Sequence, residues 1–467
     1  MTPSPQPKPE NHPAIPTAST VLDTGEIIEM VYRPSEKSTL FVRFVDGVWG
    51  YDTAVDLPSG ERLVPYSPRN NLLKHDVVLL PSEPEEYGSD SELLSEIRAF
   101  IHRYVDVTPL FEEIASYYVL LTWIYDAFNE LPYLRARGDY GSGKTRLLLI
   151  VGSICYKPIF ASGASTVSPL FRIIDAFRGT LIIDEGDFRV SDEKAEVVKI
   201  LNNGNARGFP VLRSEVSGKK EFDPRAYTVF GPKIVASRGF FEDRALESRF
   251  LTEEMGQGRL RDDIPINLPE SQKEEALHLR NKLLLFRLRN LRKPRTLEGT
   301  VDRSLEPRLN QIFSPLLSII DDRKAREDLK ELARRYNREL VSDRGMETEA
   351  QLLEVIRDLA ASSASGSLTV KEITSLFADR HGEDYERKVT AKWVGFLLRK
   401  KLSLRPWKSH GVFVIPVSES PKLAHLYEKY GIPEGAEGVQ EAQPERESSL
   451  FSEEFGGHGD LGTLDRE

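Results

Sequence analysis

The stretch Gly138-Asp139-Tyr140-Gly141-Ser142-Gly143-Lys144-Thr145 follows a short apolar run, Tyr133-Leu134-Arg135-Ala136, and opens a segment of helical character from Thr145 onward. A glycine-rich turn between a strand and a helix aims consecutive backbone N–H groups at one point, where the helix N-terminus adds its partial positive charge. In that setting Lys144 brings a point charge to the β and γ phosphates of a nucleotide, and Thr145 brings a hydroxyl to magnesium. The eight residues from Gly138 to Thr145 are therefore the expected cradle of a nucleoside triphosphate, with ATP and Mg2+ as the expected pair.

Further along, Thr180-Leu181-Ile182-Ile183 runs into Asp184-Glu185, and Pro232-Lys233-Ile234-Val235-Ala236 runs into Ser237. Strands without polar alternation are covered on both faces. Their alternation with helices predicts an α/β core with a mainly parallel sheet. Such a strand delivers Asp184 to the metal beside Thr145, and Glu185, one residue on, is placed to polarise an attacking water as general base. Asp187 is expected at the surface.

The flanks read differently. Residues 1–20 carry six prolines among Ser, Thr and other polar residues and are expected to be disordered. Residues 21–85 hold short β-like runs punctuated by Gly, Pro, Asp and Asn, the pattern of a small N-terminal β domain. A helical lead-in is expected over 91–130, the ATPase core over 131–260 and a helical lid over 265–340. An α+β module is expected over 346–417 and an acidic disordered tail over 432–467.

Two regions carry clustered positive charge. The runs Gly208-Phe209-Pro210-Val211-Leu212-Arg213 and Ala226-Tyr227-Thr228-Val229-Phe230-Gly231 flank Ser217-Gly218-Lys219-Lys220, the pattern of a hairpin with a long basic tip. In the last module, Thr390 to Leu398 reads as a helix, and Leu402 to Lys408 followed by Gly411 to Pro416 reads as a β pair. From Arg387 to Lys408 there are eight basic residues (Arg387, Lys388, Lys392, Arg399, Lys400, Lys401, Arg405 and Lys408) and no acid.

The P-loop, the Asp184-Glu185 strand and the segments C-terminal to them resemble the AAA+ and superfamily 3 branch of P-loop ATPases. That resemblance implies an ASCE-type core, ATP hydrolysis and a ring-shaped homo-oligomer, a hexamer by family analogy. The Asn-Lys-x-Asp signature of GTPases is absent. By the same resemblance Ser237 stands where a γ-phosphate-sensing residue ends the third strand, although many relatives have Asn there. The segment Glu242 to Phe250 resembles the one that ends in an arginine finger, implying Arg249 first and Arg244 second. Arg308 stands where a lid carries a further arginine sensor. Superfamily 3 and MCM-type helicases resemble this chain in carrying a hairpin before the sensor strand. Lys219 and Lys220 would then track a DNA strand, supported by Arg213 and Arg207.

The order of elements in 346–417 resembles a C-terminal winged helix, which implies DNA contact through Lys392, Arg399, Lys400, Lys401 and Lys408. The whole is similar to ATPases of plasmids, phages and integrated elements, which commonly act as replication helicases beside a primase. A non-motor AAA+ switch that docks a partner protein through the same module is the other reading.

Bulk properties constrain less. The formal net charge is −10, but residues 434–467 hold ten acids against Arg446 and Arg466, so the excess sits mostly in the tail. A local basic groove remains compatible with that balance. The single cysteine, Cys155, is expected as core filling and rules out an internal disulfide framework. No apolar run reaches the roughly 18 residues of a membrane span, and no signal-peptide block is read at the N-terminus. A cytosolic protein is expected.

Overall fold

The computed structural model describes residues 14–162, 167–184, 192–216, 222–241, 243–256, 258–295, 299–345, 348–362, 368–382, 389–409 and 411–433. The chain forms two compact units, Met1–Asn337 and Arg338–Glu467.

The first unit opens with β1 (Ala14–Thr17), β2 (Ser19–Val21), β3 (Ile27–Arg33), β4 (Ser38–Val45), β5 (Val48–Asp52), β6 (Val55–Asp56) and β7 (Arg62–Pro65). They form two sheets, ordered β2-β3-β4-β5 and β1-β7-β6. Asp46 and Gly47 both have positive φ in the two-residue turn between β4 and β5, as a tight hairpin turn demands. Regular structure thus begins at Ala14, inside the segment expected to be disordered. Pro16 has no N–H to donate, yet β1 is an edge strand paired on one side with β7, a position that tolerates proline.

The β region also lacks a core of its own. Ile28, Met30, Phe41, Val55 and Leu63 belong to one buried cluster with Ile159, Phe171, Phe177 and Leu181, far along the chain. The expected separate N-terminal domain is therefore an integral layer of the larger unit, because sheets this small cannot bury both faces alone. After α1 (Asn71–Lys74) come α2 (Asp90–Tyr104) and α3 (Pro109–Trp123). Ser89 and Glu92 form a reciprocal capping box at the start of α2, and Thr108 caps α3.

Next stand β8 (Tyr133–Arg137), α4 (Lys144–Ser153), β9 (Ile159–Ser162), α5 (Val167–Phe177), β10 (Leu181–Asp184), α6 (Asp192–Asn203), β11 (Val211–Val216), β12 (Phe222–Tyr227), β13 (Lys233–Ser237), α7 (Arg244–Glu247) and β14 (Phe250–Glu254). Five of these strands make one sheet in the order β14-β8-β13-β10-β9, and every pairing is parallel. The middle strand β13 is buried at all five positions, which explains its lack of polar alternation. β11 and β12 pair antiparallel from Val211↔Tyr227 to Val216↔Phe222, giving the body of the expected hairpin. Its tip, with Lys219 and Lys220, lies outside the described residues. Helices α8 (Ser271–Asn290), α9 (Pro307–Leu317) and α10 (Arg323–Gly345) follow, the last crossing into the second unit.

A buried ionic cluster ties these parts together. Glu29 of β3, 1% exposed, accepts from Tyr156 Oη at 2.8 Å and Arg287 Nε at 2.7 Å, and Lys157 Nζ stands 3.0 Å away. Arg287 of α8 also donates to both oxygens of Asp126, at 2.7 and 2.6 Å. Burial drives the Lys157 ammonium down to about 8 even with Glu29 beside it.

The second unit contains α11 (Thr348–Ser362), β15 (Leu368–Thr369), α12 (Val370–His381), α13 (Ala391–Phe396), β16 (Trp407–Ser409), β17 (Val412–Ile415) and α14 (Ser420–Tyr430). Its small antiparallel sheet has the order β15-β17-β16. Leu353, Ile356, Ile373, Phe377, Val394 and Leu398 centre a core of its own. The expected module stops at 417, whereas the structure adds α14, whose Leu423, Leu426, Tyr427 and Tyr430 join that core. No helix among the described residues is long and apolar enough to cross a membrane.

Removing one partner of a buried ion cluster leaves the others uncompensated, at a cost of about 3–5 kcal/mol. Glu29→Gln, which keeps the side-chain shape, should therefore lower the denaturant midpoint of the first unit markedly in a urea titration. An unchanged midpoint would show that the cluster carries no stability.

Candidate active site

The parallel register brings the C-terminal ends of β8, β13 and β10 to one edge of the sheet, and the loop 138–143 leads from β8 into α4 there. Two glycines shape this loop. Gly143, the residue before α4, has φ 91°, in the left-handed region. At Gly138 a Cβ would stand 2.7 Å from the carbonyl oxygen of Met255, just past β14, so a larger residue would push the loop off the sheet.

Across the edge, Thr145 Oγ1 donates to Asp184 Oδ2 at 2.9 Å. This bond joins the first turn of α4 to the end of β10, two sites separated in sequence by 39 positions. A hydroxyl and a carboxylate side by side are the hard oxygen donors that suit Mg2+. Lys144 Nζ donates to Gly138 O at 2.7 Å and Asp139 O at 2.6 Å, bridging the loop from within. Residues 140–146, Asp184, Ser237 and Arg238 line a cavity of about 310 Å3 over this loop. The arrangement offers backbone N–H groups and an ammonium to phosphates and an oxygen pair to a divalent cation. Glu185, the expected general base, lies outside the described residues.

Ser237 reaches the cavity wall, but it is 3% exposed and its hydroxyl donates to Gly239 O at 3.1 Å. The next residue, Arg238, is exposed in the wall, its guanidinium 3.7 Å from the centroid of the Tyr140 ring. Arg238 was not among the residues expected from sequence, although an arginine directly after the buried run 233–237 was the available signal. At the other end of β13, Lys233 is buried, with Nζ donating to Gly204, Val229 and Gly231 carbonyls at 3.2, 2.9 and 2.9 Å. Burial, with repulsion from Arg249, pushes its amine down to about 7, while the three carbonyls favour the charged form.

The expected arginines fall differently. Arg249, expected to reach a neighbouring subunit, is 8% exposed and donates through Nη1 to Asn202 Oδ1 of its own chain. Arg308 donates to Ala245 O at 2.7 Å rather than lining the cavity. Both are held by polar groups at the ends of α6 and α7, which sequence spacing does not reveal. The side chain of Arg244 lies outside the described residues. Arg213 is paired with Glu196 of α6 and lies over Phe171 at 4.5 Å, and Arg207 donates to Phe128 O at 2.9 Å. Both are anchored by these contacts within the first unit. In the second unit Lys392, Arg399, Lys400, Lys401 and Lys408 are exposed, Lys401 standing 3.6 Å from Glu349. Arg387 and Lys388 lie outside the described residues.

No family model and no curated protein matches this chain. Among solved structures, the apo NrS-1 C-terminal region (305–718) is similar at 11% identity, covering 83% of this chain and 95% of that one, with a TM-score of 0.36. A JCV helicase is similar at 14% identity, covering 54% and 62%, with a TM-score of 0.23. The Aeropyrum pernix ORC1 protein in complex with DNA is similar at 14% identity, covering 71% and 98%, with a TM-score of 0.20. At these TM-scores, what the chain does has to be read from its own residues.

Gly138→Ala should weaken nucleotide binding by about tenfold or more, a change worth roughly 1.4 kcal/mol of affinity. Titration of a fluorescent ATP analogue measures it. Wild-type affinity would show that the loop yields to the added methyl group.

Proposed function

We propose that this chain is an ATP-hydrolysing enzyme that works on DNA as a ring-shaped oligomer, a helicase or translocase serving replication of a mobile element. The observation that carries the enzymatic part is the 2.9 Å bond between Thr145 and Asp184 at the mouth of the phosphate loop. It sets a hydroxyl and a carboxylate side by side, the donor pair this reading assigns to the cation beside the β and γ phosphates.

Within that reading Gly138 to Gly143 bind phosphate oxygens through the backbone, and Lys144 moves from the loop carbonyls onto the γ-phosphate. Thr145 and Asp184 hold Mg2+, which when bound neutralises charge on the phosphates. Glu185 takes the proton of the attacking water. Arg238 and Ser237 stand at the γ-phosphate end. An arginine from a neighbouring subunit completes the site, with Arg244 a better choice than the buried Arg249. Lys219 and Lys220 at the hairpin tip follow one DNA strand, and the second unit acts as a winged helix that touches DNA. The ring is a hexamer, with a primase as a replication partner.

The tie of Arg249 to its own Asn202 favours a second reading, a non-motor ATPase switch that docks a protein through the second unit. The two readings part on one assay. ATP turnover is measured with and without single-stranded DNA, beside a mass measurement in ATP. The motor reading expects DNA-stimulated turnover by a ring-sized particle. It also expects a drop of about 100-fold or more for Lys144→Ala, Asp184→Asn and Glu185→Gln. Lys219→Ala with Lys220→Ala should remove the stimulation. A monomer whose turnover ignores DNA contradicts the motor and fits the switch.

A further inference from the structure

The second unit exposes aromatic side chains where it also exposes cations. On α13 and the helical turn that continues it through Lys401, Val394, Leu397 and Leu398 face the core, while Lys392, Phe396, Arg399 and Lys400 face outward. The four-residue spacing of Lys392 and Phe396 sets both along one side of α13, with Arg399 and Lys400 exposed on the turn that follows. Phe396 is 49% exposed in the middle of it.

The hairpin of β16 and β17 repeats the combination. Lys408 lies opposite Phe413 across the ladder, and Phe413 is 49% exposed. Trp407, 58% exposed, alternates to the other side of the hairpin together with Val412. Scattered exposed apolar residues are ordinary on a protein surface. Here, however, the stretch 389–417 contains no carboxylate. None of Lys392, Arg399, Lys400 or Lys408 is ion-paired among the described residues.

The combination discriminates between partners. A flat apolar protein surface has no use for unpaired cations and would meet only one side of a hairpin. A duplex offers phosphates along its flanks but keeps its base faces stacked on one another. A single strand offers phosphates and free base faces together, and bases stack on aromatic rings whatever their sequence.

We propose that these exposed elements of the second unit, the outward side of α13 and both sides of the β16–β17 hairpin, bind single-stranded nucleic acid. Unpaired bases stack on Phe396, Phe413 and Trp407, and the flanking phosphates are held by Lys392, Arg399, Lys400 and Lys408. The inference rests on the reading of the chain as a DNA-acting protein and deepens it, assigning the second unit to unpaired strands rather than to a duplex groove.

The test uses the full chain without nucleotide and three ligands of equal length: a thymidine strand, an abasic strand with the same phosphates and no bases, and a duplex. A length of roughly 20 nucleotides exceeds what one stacking platform spans. One variant combines Phe396→Ala, Trp407→Ala and Phe413→Ala. Another combines Lys392→Ala, Lys400→Ala and Lys408→Ala. All six positions are exposed, so neither variant removes a core contact.

The aromatic variant should lose about tenfold or more in affinity for the thymidine strand and almost nothing for the abasic one. The cation variant should weaken both. Restoring rings with Phe396→Tyr, Trp407→Tyr and Phe413→Tyr should recover the thymidine affinity. If the aromatic variant binds thymidine strands like wild type, or loses both strands equally, or loses only the duplex, stacking is overturned while nucleic-acid contact stands. If neither variant changes any of the three ligands, both the stacking and the DNA role of this unit fall.

Discussion

Glu29 is a carboxylate almost out of reach of water, and groups from two distant parts of the first unit converge on it: Tyr156 and Lys157 from the segment after α4, and Arg287 from α8. A buried charge is tolerable only when paired and hydrogen-bonded. The β region, the end of the first core helix and the long helix α8 therefore cannot separate without exposing or orphaning charge. This constraint makes the N-terminal strands a layer of the first unit. It also clamps the segment just after α4, the helix whose first turn carries Lys144 and Thr145.

From that clamp the site follows by topology. In a parallel sheet all the strands point the same way, so the loops after β8, β10 and β13 gather at one edge. The insertion of β13 between β8 and β10 sets Ser237 and Arg238 between the phosphate loop and Asp184. Lys233, buried at the opposite end of β13, binds the carbonyls at the base of the hairpin insertion. One rigid strand thus runs from the hairpin base to the wall of the nucleotide cavity. In the proposed motor, it is the shortest covalent path between the two.

Much of this was legible in sequence, and most of the rest was hidden by contacts between distant segments. The glycine-rich turn between a strand and a helix, and Asp184 at the end of a strand, were readable because glycine spacing and apolar runs mark those elements. The strands at 181–184 and 233–237 were readable because burial on both faces removes polar alternation. Arg249 was expected to reach a neighbouring subunit and Arg213 to support the basic tip; each has a polar partner in α6, Asn202 and Glu196. Such pairings are made across distant segments and leave no local trace. The absorption of residues 14–65 into a larger core was hidden for the same reason. Helix α14 is a different case: Leu423, Leu426, Tyr427 and Tyr430 follow helical spacing behind Pro421, so its signal was present in the text.

The central claim is that Thr145 and Asp184 form a divalent-cation site that serves a bound triphosphate. Equilibrium binding of ATP, measured by calorimetry with Mg2+ and again with a chelator, tests it for wild type and for Asp184→Asn. The account predicts that Mg2+ tightens ATP binding to wild type by about tenfold or more and that Asp184→Asn abolishes the tightening. ATP binding that is indifferent to Mg2+, or a full magnesium effect without the Asp184 carboxylate, would contradict it.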